Sequence, residues 1–349
     1  MDAKIIELIS NHLQDDFSRQ IFDKRVKWSE TRDNCYIDQL LELVVDAGEK
    51  SKVITKLKNT KGKLVIRGAG NEYRSWIRWI PDLKFEAFCD SDPVKIANGN
   101  IYGKPVISNK DFYENYEDYF IAVNSTAYNS EILSELKNNG VDEKRIINLG
   151  DVCKQICGTQ YFEKGIIAPV QNEVFVDGGA YDGATCDRFI EWCSGNYNSI
   201  YAFEPDKRNY ERLNKKVKDN NLLMPKMHLI NRGLWSKETT LSFSESGTQG
   251  SHITEGEGTI QIKTAAIDDV IKDDKVTFIK LDVEGAEKEA LLGAEEIIRR
   301  DHPRMAISIY HKPEDIWELP ELVLSLNNDY KLWLRHYQLS ECETILYAL

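Results

Sequence analysis

The chain has 349 residues, of which 42% are hydrophobic, and its formal net charge is -12. A chain of this length can bury a sizeable core and is expected to divide into two domains. The acidic balance argues against nucleic acid or an anionic membrane as the main partner. We find no apolar run long enough to span a bilayer and no signal-peptide core at the N-terminus.

The cysteines point to a reduced protein without a metal centre. The chain has seven, with no Cys-x-x-Cys pair, and Cys153 and Cys157 stand one helical turn apart. A zinc site would need further ligands to complete this pair, and none stands nearby in the sequence. We therefore expect a protein of the cytoplasm, with an ordinary helix face at these two cysteines.

Two segments precede the most informative part of the chain. Residues 1–60 carry apolar side chains at helical spacing, which predicts a helical N-terminal segment. Residues 61–150 alternate strand-like and helix-like runs and predict a small Rossmann-like domain, with strands at 64–66, 85–89 and 119–123.

A glycine pair follows the first of these strands. Gly68-Ala69-Gly70 resembles the start of a dinucleotide-binding loop, but Tyr73 stands where the third glycine of that motif belongs. A bulky side chain at this position opposes close packing of helix and strand around a pyrophosphate. A structural or docking domain is therefore favoured, and a nucleotide site stays open as the alternative.

Residues 151–172 are expected to link this domain to a second α/β domain at 173–349. Apolar runs in the second domain predict strands at 173–177, 199–203, 227–230, 276–281, 304–309, 331–334 and 344–347. The link between the last two is too short for a helical crossover, which predicts an antiparallel closing pair. The predicted fold class is α/β, with two Rossmann-like domains in series and an antiparallel last strand in the second.

Three of these strands end at a carboxylate. Asp177 leads into Gly178-Gly179-Ala180-Tyr181, Glu204-Pro205 ends the second strand, and Asp282 ends the fourth. Glycine lets a backbone approach a ligand closely, and an acid after the second strand can hold the hydroxyls of a ribose. Because the carboxyl ends of parallel strands share one edge of a sheet, the three acids predict one nucleotide-type site.

Several blocks of this domain resemble the FkbM-type methyltransferase family, over about residues 173–349 and in the family's order. The blocks are Phe175-Val-Asp-Gly-Gly-Ala180, Phe203-Glu-Pro-Asp206, Asn231-Arg-Gly-Leu234, Ile279-Lys-Leu-Asp-Val-Glu-Gly-Ala-Glu287, Arg335-His-Tyr337 and Glu343-Thr-Ile-Leu-Tyr347. The resemblance implies a class I methyltransferase-type sheet and S-adenosyl-L-methionine as cofactor. It also implies O-methylation, often of natural products or surface-glycan sugars.

Each residue then has an expected role in binding the cofactor. Asp177 and the Gly178–Tyr181 backbone are expected at the amino acid tail and sugar, and Glu204-Pro205 at the ribose hydroxyls. Asn231 and Gly233 are expected near the adenine. The structural alternatives are a helix cap for Asp177, a solvated strand-end acid for Glu204 and a turn asparagine for Asn231.

Methyl transfer needs an aligned acceptor and often a base. Asp282 and Glu284 are expected to face the same side of the strand. One could bind the acceptor or act as the base while the other caps the helix that starts near Gly285, and Asp282 is favoured over Glu284 as the site residue, at the cofactor and the acceptor. His311, just past the fifth strand, is the histidine best placed to act as the base, although a lone histidine at a strand end is more often structural. Glu287 is expected to begin the next helix. The ligand spacing is loose, so we predict no metal.

Two other functions remain open. A nicotinamide-dependent oxidoreductase or epimerase would use the Gly68–Gly70 loop, but the chain contains no Tyr-x-x-x-Lys pair. A non-catalytic nucleotide-binding scaffold is opposed by the intact acids and glycines of the second domain. The glycine-rich loop Ser244–Gly258, between possible strands at 239–243 and 259–263, could be a flap over the site or a disordered hairpin tip. The expected acceptor is a small molecule or a glycan precursor.

Overall fold

The computed structural model describes residues 2–70, 73, 76, 79–125, 128–150, 152, 159–219, 226–243 and 260–349. The chain divides into two compact units. The first comprises Met1–Asp33, Thr159–His336 and Glu343–Leu349, and the second comprises Asn34–Gly158 and Tyr337–Cys342. Cys153, Cys157 and the loop Ser244–Gly258 lie outside the described residues, so the interpretations placed on them stay predictions, as do the domain boundaries.

The elements are numbered here in chain order. The helices are α1 Ala3–His12, α2 Asp16–Thr31, α3 Cys35–Val44, α4 Ala47–Asn59, α5 Pro93–Asn98, α6 Asn109–Asn115, α7 Asn129–Asn138, α8 Ala184–Trp192, α9 Lys207–Lys218, α10 Ile267–Val270, α11 Glu287–Leu292, α12 Glu295–Asp301 and α13 Asp315–Leu326. The strands are β1 Leu64–Arg67, β2 Ala87–Cys89, β3 Asn100–Ile101, β4 Lys104–Ile107, β5 Phe120–Val123, β6 Ile146–Asn148, β7 Glu173–Gly178, β8 Tyr197–Phe203, β9 Met227–Ile230, β10 Gly233–Leu234, β11 Thr240–Phe243, β12 Ile260–Ala265, β13 Phe278–Leu281, β14 Arg304–Ser308, β15 Leu332–His336 and β16 Thr344–Ala348.

The first unit is built on a seven-stranded sheet of order β15-β16-β14-β13-β7-β8-β9. Strands β14, β13, β7, β8 and β9 run parallel, whereas β16 is antiparallel to both of its neighbours. The predicted α/β class and the antiparallel last strand are therefore confirmed.

Aromatic side chains pack at the centre of this sheet. All six residues of β7 are buried, as expected for a parallel strand covered by helices on each side. The ring of Phe175 in β7 stacks on Phe189 of α8 with centroids 4.3 Å apart, and Phe278 of β13 packs 5.2 Å from Phe175. This packing fixes the strand whose carboxyl end carries Asp177.

The first two helices belong to this unit. Asp2 caps α1 and Asp15 caps α2, each by accepting a backbone N–H at the helix start. The hydroxyl of Ser18 in α2 accepts the N–H of Leu334 in β15 at 2.9 Å, and Arg335 forms an ion pair with Asp15 at 2.8 Å. The predicted N-terminal helical segment is thus shared between the units, because α3 and α4 fall in the second.

A smaller three-stranded sheet of order β10-β12-β11 is formed by strands that follow β9 in the chain. Strand β11 pairs antiparallel with β12, and β10 pairs parallel with β12. Its β11 and β12 correspond to the possible strands predicted at 239–243 and 259–263. Strand β10, only two residues long, was not predicted.

The second unit contains a six-stranded sheet of order β3-β4-β2-β1-β5-β6. Strands β4, β2, β1, β5 and β6 are parallel, and β3 pairs antiparallel with β4. The sequence predicts β1, β2 and β5 but misses β4, which contains a proline, and the three-residue β6. Among the described residues, no helix is long and apolar enough to cross a membrane.

Candidate active site

A buried ion pair lies beneath the loop that follows β7. Asp177 is fully buried, with Oδ1 3.0 Å from the Nζ of Lys280 in β13, and the Cys186 thiol donates to its Oδ2 at 3.2 Å. The same ammonium donates to the carbonyls of Gly178 and Gly179, each at 2.9 Å. Asp177 therefore lies under the loop and holds it in place through Lys280, while the loop backbone faces the sheet edge.

Gly179 is required by the path of this loop. Its φ is +80°, and a Cβ built on it would lie 2.0 Å from the carbonyl oxygen of Asp282. Left-handed backbone is strained for other residues, and here the added atom would also collide with backbone. Tyr181, two residues later, also has positive φ and is 44% exposed. The loop thus brings bare backbone to the edge of the sheet.

Glu204 ties this loop to the end of β8. Its Oε2 accepts the N–H of Tyr181 at 2.8 Å and its Oε1 accepts the N–H of Asp206 at 2.9 Å. Only 5% of Glu204 is exposed, and burial raises the pKa of its carboxyl. Each oxygen uses one acceptor position on a backbone amide, so each retains a further position for a ligand hydroxyl.

Asn231 and Gly233 support the end of this strand. The Asn231 amide donates to the carbonyls of Glu204 and Pro205 at 2.8 and 3.2 Å. Gly233 is buried in β10, where an added Cβ would lie 3.2 Å from Ile262 and 3.8 Å from Pro205. The structure therefore brings the two residues beside the Glu204-Pro205 turn, with the Asn231 side chain engaged by the turn itself.

Asp282 is held between two tyrosines at the end of β13. The hydroxyl of Tyr161 donates to its Oδ2 at 2.8 Å, and the hydroxyl of Tyr310 lies 3.2 Å from its Oδ1. Burial acts to raise the pKa of Asp282, but the positive charges of Lys280 and His311 outweigh it and the pKa is lowered. Asp282 is therefore a stable carboxylate, with both oxygens already engaged.

His311 is surrounded by three carboxylates. Its Nδ1 lies 2.9 Å from Oε1 of the buried Glu287, and its Nε2 lies 3.5 Å from Asp282 and 3.7 Å from Glu284. Burial opposes the charged imidazolium, but Glu287 and the other acids overcome this and raise the pKa of His311 to about 10. The ring is therefore protonated at neutral pH and oriented by Glu287.

Asp282 and Glu284 do not lie on one strand face as alternation predicts. Strand β13 ends at Leu281, and Glu284 has φ +55° in the turn that follows. Both carboxylates nevertheless approach the same nitrogen of His311 from different directions. The Glu284 side chain is 40% exposed, and burial of the remainder raises the pKa of its carboxyl.

Several members of the site were not identified from the sequence. Glu343 lies 3.2 Å from the Tyr310 hydroxyl and accepts a hydrogen bond from Gln160. Burial, with the negative charge of Asp282, raises the pKa of Glu343 to about 7. Tyr161 falls in the predicted linker. Glu287 does begin α11 as predicted, but its side chain is turned inward to His311.

Asp282, Glu287 and His311 could offer ligand atoms to one metal ion, since these atoms lie within 4.8 Å of one another. Two features oppose that use. The Oε1 of Glu287 already accepts the N–H of Val283 at 2.8 Å, and the raised pKa of His311 keeps a proton on the ring. A cation would have to displace that proton.

Part of the chain is similar to a known protein family. The description "Methyltransferase FkbM domain" belongs to the family model that matches residues 177–338. Residues 177–338 are a methyltransferase FkbM domain. The match begins at Asp177 and includes Glu204, Asp282 and His311, whereas Glu343 and β16 follow it.

One solved structure shares the fold over most of the chain, and a second is a weaker match. The crystal structure of methyltransferase FkbM from Methylobacillus flagellatus KT is 21% identical and covers 88% of this chain and 94% of its own, with a TM-score of 0.50. Fibrillarin from Aeropyrum pernix, solved with bound S-adenosyl-L-methionine, is 13% identical and covers 53% and 70%, with a TM-score of 0.34. No curated protein matches the sequence.

Proposed function

We propose that the protein is an S-adenosylmethionine-dependent methyltransferase that acts on an oxygen of a sugar or another small hydroxylated molecule. One observation carries the proposal. At one sheet edge of an FkbM domain, the carboxylate that ends β8 is bound to an amide of the glycine loop, and a set of carboxylates is grouped around His311 past the ends of β13 and β14. The Glu204 carboxylate suits a ribose. The carboxylates around His311 suit a bound cation that lies beside a proton acceptor.

The residues at this edge fit the cofactor by their chemistry. Glu204 offers two carboxylate oxygens to the ribose hydroxyls, and the bare backbone at Gly179 admits the amino acid tail. When bound, the cofactor supplies a methyl group on a sulfonium cation. The negative charges of Asp282 and Glu284 favour a cation at this edge. Asn231 acts by fixing the Glu204-Pro205 turn against which the adenine would lie.

An oxygen acceptor must lose a proton as its bond to the methyl carbon forms. His311 cannot take that proton while it is an imidazolium, and both oxygens of Asp282 are bound to tyrosines. Glu284 is partly exposed, its pKa is raised by burial, and no hydrogen bond to either of its oxygens stands among those of the described residues. We assign Glu284 as the proton acceptor, Asp282 as the carboxylate that orients the site, and His311 as the cation that keeps both acids ionised.

Glu287 completes this arrangement as a positioning residue. Its buried Oε1 forms an ion pair with Nδ1 of His311 at 2.9 Å and accepts the N–H of Val283 at 2.8 Å. This fixes the direction of Nε2 toward Asp282 and Glu284. The ring nitrogen therefore stays near both acids even when no ligand is present.

The test is transfer of a labelled methyl group. The full chain would be incubated with [methyl-14C]-S-adenosylmethionine and a panel of sugars, nucleotide-sugars and hydroxylated small molecules, with the matching amino sugars alongside. We expect label in a hydroxylated acceptor, with NMR placing the methyl on oxygen. A methyl found on nitrogen or carbon would overturn the O-methylation part of the proposal, and binding without any transfer across the panel would oppose it.

A further inference from the structure

The second unit repeats the construction of the candidate active site. Strand β1 lies between β2 and β5, so the chain leaves β1 toward one side and returns on the other, a switch point at which open parallel sheets bind ligands. In the first unit, β7 lies between β8 and β13 in the same way. Each central strand leads into a glycine loop.

The two glycine loops make corresponding contacts. Gly68 has φ +102° and a built Cβ would lie 2.4 Å from the Asn124 carbonyl, as Gly179 has φ +80° and would meet Asp282 at 2.0 Å. The N–H of Gly68 donates to Cys89 at the end of β2 at 2.9 Å. The N–H of Gly179 donates to the last residue of β8 at 3.1 Å.

The acids that follow the second strands also correspond. Asp90 accepts the N–H of Ala69 through Oδ2 at 2.8 Å and the N–H of Asp92 through Oδ1 at 3.0 Å. Glu204 makes the same two bonds, one to its loop and one to the residue two positions later. Asp90 follows Ala69 by 21 residues, close to the spacing at which an acid reaches the ribose in dinucleotide-binding sheets.

The side-chain oxygen of Asn124 at this edge is unpaired within the described part of the chain. Asn124, at the end of β5, is 2% exposed, and its amide nitrogen donates to the Gly68 carbonyl at 3.0 Å. Its Oδ1 is buried and has no hydrogen-bond partner among the residues that the structure describes. A buried unpaired acceptor is costly, and its place beside the glycine loop suits a ligand donor that completes it.

The charges at this edge differ from those at the corresponding edge of the first unit. Lys95 lies 3.2 Å from Asp90 and offsets its charge, and Asn124 replaces the carboxylate that Asp282 provides in the first unit. A sulfonium cation would gain little there, whereas an anionic group would not be repelled. Tyr73, at the position of the missing third glycine, packs its ring into the core, 4.7 Å from Phe88.

From these contacts we infer that the second unit binds a ribonucleotide of the nucleoside diphosphate class, with its ribose hydroxyls on Asp90 and its phosphates at the Gly70 end of the loop, because the N–H groups of Gly68 and Ala69 already donate to Cys89 and Asp90. The site is additional to the proposed methyltransferase site and independent of it. A nucleoside diphosphate, a dinucleotide and a nucleotide-sugar share this chemistry.

The test is isothermal titration of the full chain saturated with S-adenosylhomocysteine, using ADP, NAD and UDP-glucose as separate probes. We expect at least one probe to bind at a single site, and its 2′-deoxy counterpart to bind at least tenfold more weakly. Asp90→Asn should weaken binding at least tenfold, while Asp118→Asn, an exposed change in the same unit, should not. Thermal melting would verify that Asp90→Asn remains folded, and the 2′-deoxy comparison needs no variant.

Three results would overturn the inference. The first is that none of the three probes binds. The second is equal binding of the ribo and deoxy forms. The third is binding that S-adenosylhomocysteine displaces or that Glu204→Gln abolishes, since the nucleotide would then lie in the first unit. Failure of S-adenosylhomocysteine itself to bind would count against the methyltransferase proposal and not against this one.

Discussion

The glycine loops of the two units share their backbone hydrogen bonds but differ in the side chain that binds the glycine carbonyl. In the first unit, the ammonium of Lys280 binds the Gly179 carbonyl and is neutralised by the buried Asp177. In the second, the neutral amide of Asn124 binds the Gly68 carbonyl. The Lys280 ammonium and the Asn124 amide each donate a hydrogen bond to a carbonyl at a tight turn, so either group suffices to stabilise the loop.

We propose that the difference reflects what each edge binds. An ion pair beneath the first loop fixes a positive charge near Asp282, and this charge helps to keep that acid ionised. The second loop has no need of it, because Asn124 carries no charge. The shared features belong to the architecture of a parallel sheet edge, and we propose that the unshared ones, Asp282, Glu284 and His311, serve methyl transfer.

The largest effect on the difference between the two loops should come from Lys280→Met. It leaves Asp177 buried without its cation, which should lower the free energy of unfolding by about 3–5 kcal/mol. Denaturant unfolding measures the effect. Lys288→Met removes an exposed lysine paired with Glu318 and should change stability by less than about 0.5 kcal/mol. If the double change Asp177→Asn with Lys280→Met recovers nothing, the ion pair is not the cause.

Glu284→Gln should come next, with a turnover lower by roughly 10²-fold or more, because a general base contributes about that much. Binding of S-adenosylhomocysteine should stay within a few-fold of wild type. For the wild-type enzyme, activity should fall as the pH is lowered through the pKa of Glu284, which lies above that of an ordinary glutamate, because the protonated acid cannot accept a proton. An unchanged acid limb in Glu284→Gln would contradict the assignment.

The glycines test the shared part of the comparison. Gly179→Ala and Gly68→Ala should each lower stability by about 1–3 kcal/mol, because both need positive φ and both would place a Cβ against backbone. Gly70→Ala is the matched control, since its Cβ would meet nothing within 4 Å. Thermal melting compares the three variants. Equal tolerance at all three positions would mean that the loops are not built as described.

The smallest expected effect is on the affinity for S-adenosylhomocysteine, and it distinguishes Glu204 from Asp90. Glu204→Gln should weaken S-adenosylhomocysteine binding by at least tenfold, about 1.4 kcal/mol, because it loses the charge that strengthens bonds to the ribose. Asp90→Asn should leave that affinity unchanged, and Glu211→Gln on the exposed face of α9 serves as the control for Glu204. Equal losses in Glu204→Gln and Asp90→Asn would remove the distinction between the units.

Local features of the fold could be predicted from the sequence. In β7, β8 and β13 an apolar run stands next to the acid at the end of the strand, so the order of these runs and acids along the chain indicates a parallel sheet with a ligand edge. The antiparallel closing pair of β15 and β16 follows from the short link between them.

Contacts between distant residues could not be predicted in this way. Tyr161 reaches Asp282 across 121 positions of the sequence, and Gln160 reaches Glu343 across 183. The burial of Asp177 depends on Lys280 in a neighbouring strand, so an acid beside glycines reads the same in the sequence whether it faces a ligand or the core. Strands as short as β6 carry too few residues to give a pattern.

The central claim is a cofactor site in the first unit, and its most direct test is isothermal titration of the wild-type chain with S-adenosylhomocysteine. We predict one site per chain with micromolar affinity, unchanged when ADP, NAD or UDP-glucose is present. No binding, or displacement by any of these nucleotides, would contradict the account.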